Sequence, residues 1–199
     1  MPHLLHLSKD KKLGKIISPQ EKYFLQKRNN VHLHICASII SQQLSTKVAA
    51  VIYARFLALF SKKNPSPKNI IAVPFDTLRS IGLSNAKANY VLNVCNYFID
   101  NKVTDARLHK MEDEELIEFL TQIKGVGRWT AEMILIFTLA REDVFAVDDL
   151  VIQQSVCKLY KIDTADKKAM KEQLLKISAK WSPYRSYACR YLWGWKDGK

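Results

Sequence analysis

Apolar residues recur at every third or fourth position along most of the chain, which is the period of an amphipathic α-helix. No stretch alternates apolar and polar residues in the manner of a strand, and no Asn-Gly turn links two such stretches. The sequence therefore predicts an all-α fold. The predicted helices cover residues 31–44, 46–60, 86–99, 114–123, 129–139, 150–160, 169–177 and 184–195.

Residues that favour helix ends lie between these stretches. Ser45, Ser84 and Asp148 each stand just before a periodic stretch, where a short polar side chain caps the first helical turn. Gly82 follows a short helix that we expect to begin near Pro74, and glycine is the preferred residue after a helix end. These residues support the helical interpretation of the pattern.

The amino-terminal segment shows the weakest pattern. It carries Lys9, Lys11, Lys12 and Lys15. A solvated, partly ordered basic arm over 1–20 accounts for these charges better than a specific contact does. We expect 1–199 to form one domain, because 199 residues suffice for a single well-buried core, which can divide into two lobes around a cleft.

The charge of the chain narrows the choice of partner. Lys and Arg number 31 against 19 Asp and Glu, so the formal net charge is +12 at pH 7. A polyanion is the natural partner of such a protein, but charge alone does not choose among DNA, RNA and a membrane surface.

The cysteines and the apolar runs indicate the compartment. Cys36, Cys95, Cys157 and Cys189 are scattered singly among apolar residues. Metal and iron–sulfur sites need clustered ligands, so we expect buried thiols in a reducing compartment. No apolar run approaches the roughly 20 residues that span a bilayer, and the opening residues lack the layout of a cleavable signal. We expect a soluble, intracellular protein, located in the cytoplasm and nucleoid or in a nucleus.

The most informative segment joins the helices predicted at 114–123 and 129–139. Gly125 and Gly127 stand one residue apart between these apolar stretches, which predicts a tight turn between two helices over 121–131. The first amides of a helix have no partner inside it, so this turn offers them to an anion such as a phosphate. As a bare Gly-x-Gly, the signal is typical of many ordinary turns.

A longer motif surrounds the two glycines: Leu-x-x-Ile-x-Gly-Val-Gly-Arg-Trp-Thr-Ala, residues 120–131. This motif resembles the hairpin of the helix-hairpin-helix (HhH-GPD) DNA glycosylases, and in particular their alkylpurine branch, the 3-methyladenine DNA glycosylase II type. Segments 39–45, 81–88 and 181–188 are similar to other parts of that family, so the resemblance covers about 31–195. It implies a two-lobed helical core with the active site in the cleft between the lobes.

The resemblance also implies how the chain would hold DNA. The hairpin amides would bind a DNA phosphate, and Gln43 would enter the gap left by a flipped base, although Gln42 and Gln43 at a helix end would otherwise be read as solvated. A monovalent cation, Na+ or K+, would bind the main-chain carbonyls of Thr121, Ile123 and Val126 when DNA is present, and no other cofactor is required. The implied DNA-binding residues are Gln43, Lys124, Gly125, Val126, Gly127, Arg128 and Thr130.

Two adjacent acids, Asp148 and Asp149, follow the apolar run that ends at Val147. From the residues alone, the simplest interpretation is that this pair caps the helix starting near Leu150. The resemblance makes Asp148 the cap-like residue and Asp149 the catalytic carboxylate. A carboxylate suits the chemistry, because breaking an N-glycosidic bond builds positive charge on the sugar, which a nearby negative charge stabilises.

Four residues match the substrate pocket of the branch by resemblance: Gln42, Trp129, Met133 and Trp193. Aromatic faces would stack on a flipped base and attract a cationic one. Without the resemblance, Trp193 and Trp195 would be core or rim anchors, and Met133 is as readily a core methionine. With it, Trp195 keeps its structural interpretation.

Trp129 indicates which reaction to expect. Relatives that also cut the DNA strand carry a lysine at this position, which attacks the sugar and forms a Schiff base. The resemblance therefore implies a monofunctional glycosylase, a hydrolase of base excision repair that releases alkylated purines such as 3-methyladenine and 7-methylguanine and leaves an abasic site.

The expected partner is double-stranded DNA that contains damaged bases. We expect the protein to be a monomer that does not bind membranes. Two alternatives stay open. The hairpin could belong to a DNA-binding module without catalytic activity, or the enzyme could excise deaminated or oxidised bases.

Overall fold

A computed structural model describes residues 1–18, 22–62, 64–196 and 198. All regular structure in that part of the chain is helical, so the all-α prediction is confirmed. Between α12 and α13 lies one 3-10 turn, Ala179–Trp181. The α-helices are α1 (Pro2–Leu7), α2 (Lys11–Ile17), α3 (Val31–Ser41), α4 (Thr46–Ala58), α5 (Pro67–Ile71), α6 (Phe75–Ser80), α7 (Asn85–Asp100), α8 (Asp105–Lys110), α9 (Asp113–Thr121), α10 (Arg128–Phe137), α11 (Leu150–Tyr160), α12 (Lys167–Ser178) and α13 (Arg185–Lys196).

Each of the eight periodic stretches corresponds to one helix: α3, α4, α7, and α9 to α13. The predicted caps of α4 and α7 are confirmed, because Ser45 Oγ accepts the amide of Val48 and Ser84 Oγ accepts the amide of Lys87. The short helix near Pro74 is α6. Helices α5 and α8 were not predicted, because five or six residues are too few to show a helical period.

The expected amino-terminal arm is wrong for residues 1–18, which form α1 and α2. Leu7, Leu13, Ile16 and Ile17 are buried in a hydrophobic cluster that also contains Trp181. The arm was predicted from the lysines alone, without these apolar residues. The two short helices bring the apolar residues to one side, while the lysines remain exposed. Residues 19 and 20 of the predicted arm lie outside the described residues.

The chain divides into two compact units, 1–26 with 135–199 and 27–134. In the first unit, α13 packs against α2 and α11, and α11 also packs against α2 and α12. The core of this unit includes Phe145, Trp181, Tyr187, Tyr191 and Leu192, all of which are buried.

In the second unit, α7 packs against α3, α5 and α6, and α3 packs against α4. The apolar faces of these helices fill the core with fully buried residues such as Ile35, Cys36, Ile39, Val91 and Cys95. The four cysteines are buried free thiols, as the sequence predicted. None of the described helices combines the length and apolar character that a membrane crossing requires.

Candidate active site

Asp149 is the N-cap of α11 and is only 8% exposed. Its backbone is extended at φ −71° and ψ 122°, and its Oδ1 accepts the amide of Ile152 at 2.9 Å. A carboxylate at a helix N-terminus is stabilised by the helix dipole as well as by this hydrogen bond. The residue predicted to be catalytic is therefore held in a fixed orientation at the start of a helix.

The capping role predicted for Asp148 is wrong. Asp149 directly precedes the first helical residue, so its side chain, rather than that of Asp148, reaches the amide of the first turn. Asp148 is exposed and forms an ion pair with Lys171, with Nζ 2.7 Å from Oδ1. The two neighbouring acids thus have separate partners.

Trp193 reaches the same carboxylate from α13. Its indole Nε1 donates a hydrogen bond of 3.0 Å to Asp149 Oδ1, the oxygen that also accepts the amide of Ile152. Two donors on one oxygen fix the plane of the carboxylate. The structure therefore brings together two residues that the sequence assigned to the site, Asp149 and Trp193.

Neighbouring contacts hold this pair in place. The ring of Phe137, at the end of α10, lies 5.5 Å from the ring of Trp193, and the guanidinium of Arg190 lies 5.1 Å from the ring of Phe137. On the other side, Gln153 Nε2 donates to the carbonyl of Val147 at 2.8 Å and fixes the segment that precedes Asp149. The role of Phe137 has no signal in the sequence beyond its place in an apolar helix.

An ion pair anchors the start of α13. Arg185 donates to both oxygens of Asp143 at 2.7 and 2.9 Å, and Ser182 Oγ adds a third bond at 2.8 Å. Burial raises the pKa of Asp143, but these hydrogen bonds outweigh it, so the pKa lies below its ordinary value. The helix that carries Trp193 is thereby tied to the loop before Asp149.

The predicted hairpin is confirmed, since α9 ends at Thr121 and α10 begins at Arg128. Gly125 has a φ of +106°, and a Cβ atom placed on it would lie 2.2 Å from Cγ of Tyr90. Glycine is required here by backbone conformation and by the ring packed against the turn. The sequence predicted a glycine turn here but not the contact with Tyr90.

Gly127 has a different environment. A Cβ atom placed there would meet nothing within 4 Å, and the carbonyl of Gly127 accepts the first helical hydrogen bond of α10, from Ala131, at 3.1 Å. Gly127 is thus the N-cap of α10, and Arg128, Trp129 and Thr130 form its first turn, where amides lack partners within the helix.

The other hairpin residues differ in exposure. Lys124 is exposed, whereas Val126 and Thr130 are buried at 5% and 3% exposure. A contact of Val126 or Thr130 with DNA would therefore involve the main chain rather than the side chain. Thr121 is exposed and Ile123 is buried, so the proposed cation ligands also act only through their carbonyls.

Arg128 ties the two helices of the hairpin together. Its Nη2 and Nη1 donate to the two carboxylate oxygens of Glu114 on α9 at 2.6 and 3.1 Å, and its Nε donates to Glu132 at 3.1 Å. The hydrogen bond from Arg128 holds the pKa of Glu114 below its ordinary value. Sequence reasoning assigned Arg128 to DNA and missed this structural role.

The remaining predicted pocket residues lie in the 27–134 unit. Trp129 is 38% exposed in the first turn of α10, and Met133, one turn later on the same helix face, is half-buried. Gln42 ends α3 and is half-buried, whereas Gln43 is exposed and has a φ of +57°. Two unpredicted contacts, from Tyr90 to the hairpin and from Lys87 to Gln42, also belong to this unit.

Comparison with known families decides the identity of this fold. Residues 36–180 match the HhH-GPD superfamily of base excision DNA repair proteins. The chain belongs to this family. Within the described residues, no group of three or more His, Cys, Asp or Glu side chains could hold a metal ion.

Individual members of the HhH-GPD superfamily are similar over most of the chain. DNA-3-methyladenine glycosylase 1 of Schizosaccharomyces pombe is 34% identical over 194 residues, which cover 96% of this chain and 84% of that protein. The putative DNA-3-methyladenine glycosylase YfjP of Bacillus subtilis is 32% identical over 161 residues, which cover 78% of this chain and 55% of that protein. The chain thus spans about half of the Bacillus protein.

A solved structure shows the same HhH-GPD architecture. The Schizosaccharomyces pombe 3-methyladenine DNA glycosylase in complex with abasic DNA superimposes with a TM-score of 0.81 at 34% identity, over 97% of this chain and 95% of that chain. The recognition of a 3-methyladenine-type HhH-GPD glycosylase from the sequence is confirmed. The chain is a DNA N-glycosylase, which is a hydrolase.

Proposed function

We propose that this glycosylase is monofunctional and excises alkylated purines of the 3-methyladenine and 7-methylguanine type from duplex DNA by hydrolysis, leaving an abasic site. The observation that carries the proposal is the buried carboxylate of Asp149, held by the amide of Ile152 and the indole of Trp193. We infer that the protein acts as a monomer and inside the cell, where its DNA substrate lies.

Asp149 supplies the charge that this reaction needs. As the bond from C1′ to the base breaks, its electron pair leaves with the base and the sugar becomes cationic. A carboxylate with little water around it stabilises that cation and orients the water that attacks C1′. The oriented oxygen needs no rearrangement during the reaction, since two donors already fix it.

The choice of substrate class is supported by the site that we propose, in which Asp149 of the described residues acts without a second acid that would protonate the leaving group. Glycoside hydrolases commonly protonate their leaving group with a second carboxylic acid. A purine alkylated at N3 or N7 is already cationic and leaves without that proton. Trp193 would attract such a base by about 0.5–2 kcal/mol through its ring face, and Trp129, Gln42 and Met133 stay predicted pocket residues.

Replacing Trp193 with Phe tests the indole donor. Phe keeps an aromatic ring but removes the hydrogen bond to Asp149, and a hydrogen bond to a charged group contributes about 1.5–3 kcal/mol. We expect kcat for excision of 3-methyladenine to fall by at least about tenfold in single-turnover assays, since 1.4 kcal/mol corresponds to one decade.

The matched control is Trp195→Phe on the same helix. The ring of Trp195 lies 5.2 Å from Nζ of Lys158 and has no place in the proposed reaction. Excision by this variant should stay close to that of the wild type. Full activity of Trp193→Phe would show that the indole N–H does not support the catalytic carboxylate.

The hairpin would hold the DNA strand. The first amides of α10 and the turn at Gly127 would bind a phosphate, with Lys124 adding positive charge and Arg128 holding the turn through its ion pairs. An Na+ or K+ ion would be held by the carbonyls of Thr121, Ile123 and Val126 when DNA is bound, and the carbonyl of Ile123 already accepts the amide of Val126 at 2.9 Å. Gln43 would fill the gap left by the flipped base.

Strand cleavage would require an amine nucleophile, and the first turn of α10 has Trp129 where such a lysine would stand. We expect the protein to release free 3-methyladenine from methylated duplex DNA and to leave strands that stay intact until alkali cleaves the abasic sites. In a parallel reaction that contains borohydride, we expect no covalent protein–DNA adduct.

Each other result points to a different function. A borohydride-trapped adduct would show a bifunctional enzyme and contradict the monofunctional assignment. DNA binding without release of any base would support a non-catalytic module. Release of only deaminated or oxidised bases from a panel of damaged bases would show that the substrates are those bases rather than alkylated purines.

A further inference from the structure

The loop between α3 and α4 has an unusual backbone. Helix α3 ends at Ser41, and Gln42 leaves the helical conformation with φ −49° and ψ 130°. Gln43 then adopts a left-handed φ of +57°, which costs free energy in a residue other than glycine. Strained residues persist only where surrounding contacts hold them, so the loop needs an anchor.

Lys87 provides such an anchor from α7. Its Nζ donates to the carbonyl of Ile40 at 2.9 Å and to the carbonyl of Gln42 at 2.8 Å. Both carbonyls lie at the end of α3, where helix geometry leaves them without partners and where a positive charge is favoured. Lys87 lies in the first turn of α7, which Ser84 caps.

Helix α4 begins immediately after the loop and is fixed separately. Ser45 caps its first turn, and the amide of Leu44 donates to the carbonyl of Ser41 at 3.1 Å. The strained residue Gln43 is therefore held on one side by this turn and on the other by the ammonium of Lys87. Burial lowers the pKa of Lys87, whose ammonium lies against these two carbonyls.

We propose that Lys87 is a positioning residue for base flipping, which holds Gln42 and Gln43 in the conformation that inserts into the DNA stack. This inference rests on the proposed function, in which Gln43 fills the gap and Gln42 lines the pocket. A side chain that replaces a flipped base stabilises the open duplex more strongly when its own ordering cost is met before binding. The two bonds from Lys87 supply that ordering.

The proposal predicts an effect that depends on base pairing. A flipped base leaves a gap only in a duplex, and flipping is easiest when the base is unpaired or already single-stranded. Loss of the anchor should therefore slow excision from a paired site and spare excision from a single strand. A lysine that only stabilised the fold would affect both substrates alike.

The test uses Lys87→Met, which keeps the aliphatic length and removes the donors, and Lys68→Met as the control. Lys68 is an exposed lysine on α5 of the same unit. One alkylated purine is placed in a duplex opposite its normal partner, and in the corresponding single strand. We expect Lys87→Met to lower kcat/KM about tenfold on the duplex, because a loss of this size is typical when charge-assisted hydrogen bonds are removed. On the single strand, kcat/KM should stay near the wild-type value.

Two further variants keep the comparison decisive. Lys87→Arg retains donors and should restore most of the duplex activity. In a Gln43→Ala background, Lys87→Met should cause little further loss, because the two residues act through one step. If Lys87→Met does not fold, as judged by thermal unfolding, Lys87→Gln, which removes the positive charge and shortens the side chain, carries the same measurements.

Equal losses on duplex and single strand, or full additivity with Gln43→Ala, would overturn the role of Lys87 in base flipping. An unchanged duplex rate in a folded Lys87→Met protein would do the same. Failure of the proposed function is distinguishable, because the wild-type protein would then release no alkylated base from either substrate.

Discussion

Replacing Asp149 with Asn is expected to abolish release of 3-methyladenine from methylated duplex DNA while the protein stays folded. The amide oxygen of Asn can still accept the amide of Ile152 and the indole of Trp193, the two bonds that end on Oδ1. The negative charge is lost, and an NH2 group takes the place of Oδ2. Removing one electrostatic stabiliser of a transition state typically costs about 100- to 1,000-fold in kcat, and we expect at least that loss.

The stability of Asp149→Asn should change little, because Asn and Asp are equally good N-caps. Urea unfolding and duplex binding should therefore match the wild type. Asp149→Ala would lose the cap as well and unfold about 1 kcal/mol more easily. Asp148→Asn is the matched control, since it removes only an exposed ion pair of about 0–1 kcal/mol and should leave excision unchanged. Wild-type activity in Asp149→Asn would remove this residue from the chemistry.

Replacing Gly125 with Ala is expected to destabilise the protein strongly. Alanine at this position would keep a φ of +106°, and its Cβ atom would lie 2.2 Å from Cγ of Tyr90. A left-handed conformation costs about 1–2 kcal/mol, and forcing an extra carbon into a packed site costs about 1–3 kcal/mol. We expect the free energy of unfolding to fall by about 2–5 kcal/mol in urea titrations, and DNA binding to weaken as the turn is displaced.

Gly127→Ala separates stability from DNA binding at the same turn. A Cβ at this position meets nothing within 4 Å, so the unfolding free energy should change by less than about 1 kcal/mol, the cost of a poorer N-cap. The same methyl group would stand beside the first amides of α10 and hold a phosphate away, so duplex affinity should still fall. Equal stability of the two variants would contradict the role of Tyr90 in fixing the turn.

The sequence predicts the long helices and the glycine turn well, because both depend on local pattern. A helical period over ten or more residues specifies the buried face of α7 or α10 without knowledge of its neighbours. Gly125 and Gly127 mark the turn for the same reason. The motif around them also predicts the family, since nine specified positions within twelve residues constrain it more than one pair of glycines does.

The features that escaped prediction depend on contacts between distant residues. Asp10 illustrates this, because it caps α2 and also accepts hydrogen bonds from Tyr160 and Trp181, more than 140 positions later. The amino-terminal lysines gave no sign of these contacts. The indole bond from Trp193 to Asp149 spans 44 positions and is equally invisible in the local pattern.

The two adjacent acids show a limit of prediction from local pattern. The pattern placed the cap of α11 at Asp148, one residue too early, because the position of a cap depends on which backbone amide each side chain reaches. The resemblance selected Asp149 for catalysis and left the cap to its neighbour. The structure gives the capping bond to Asp149, so this residue would combine a structural and a catalytic role.

The central claim is that the carboxylate of Asp149 stabilises positive charge on the sugar, and duplexes that carry abasic analogues test it most directly. Affinity is measured for a cationic pyrrolidine analogue and for its neutral tetrahydrofuran counterpart at the same position. A carboxylate about 4 Å from the charge should favour the cationic duplex by at least about tenfold in the wild type, and Asp149→Asn should lose that preference. Equal affinity of the wild type for both duplexes, or a preference that survives in Asp149→Asn, would contradict the account.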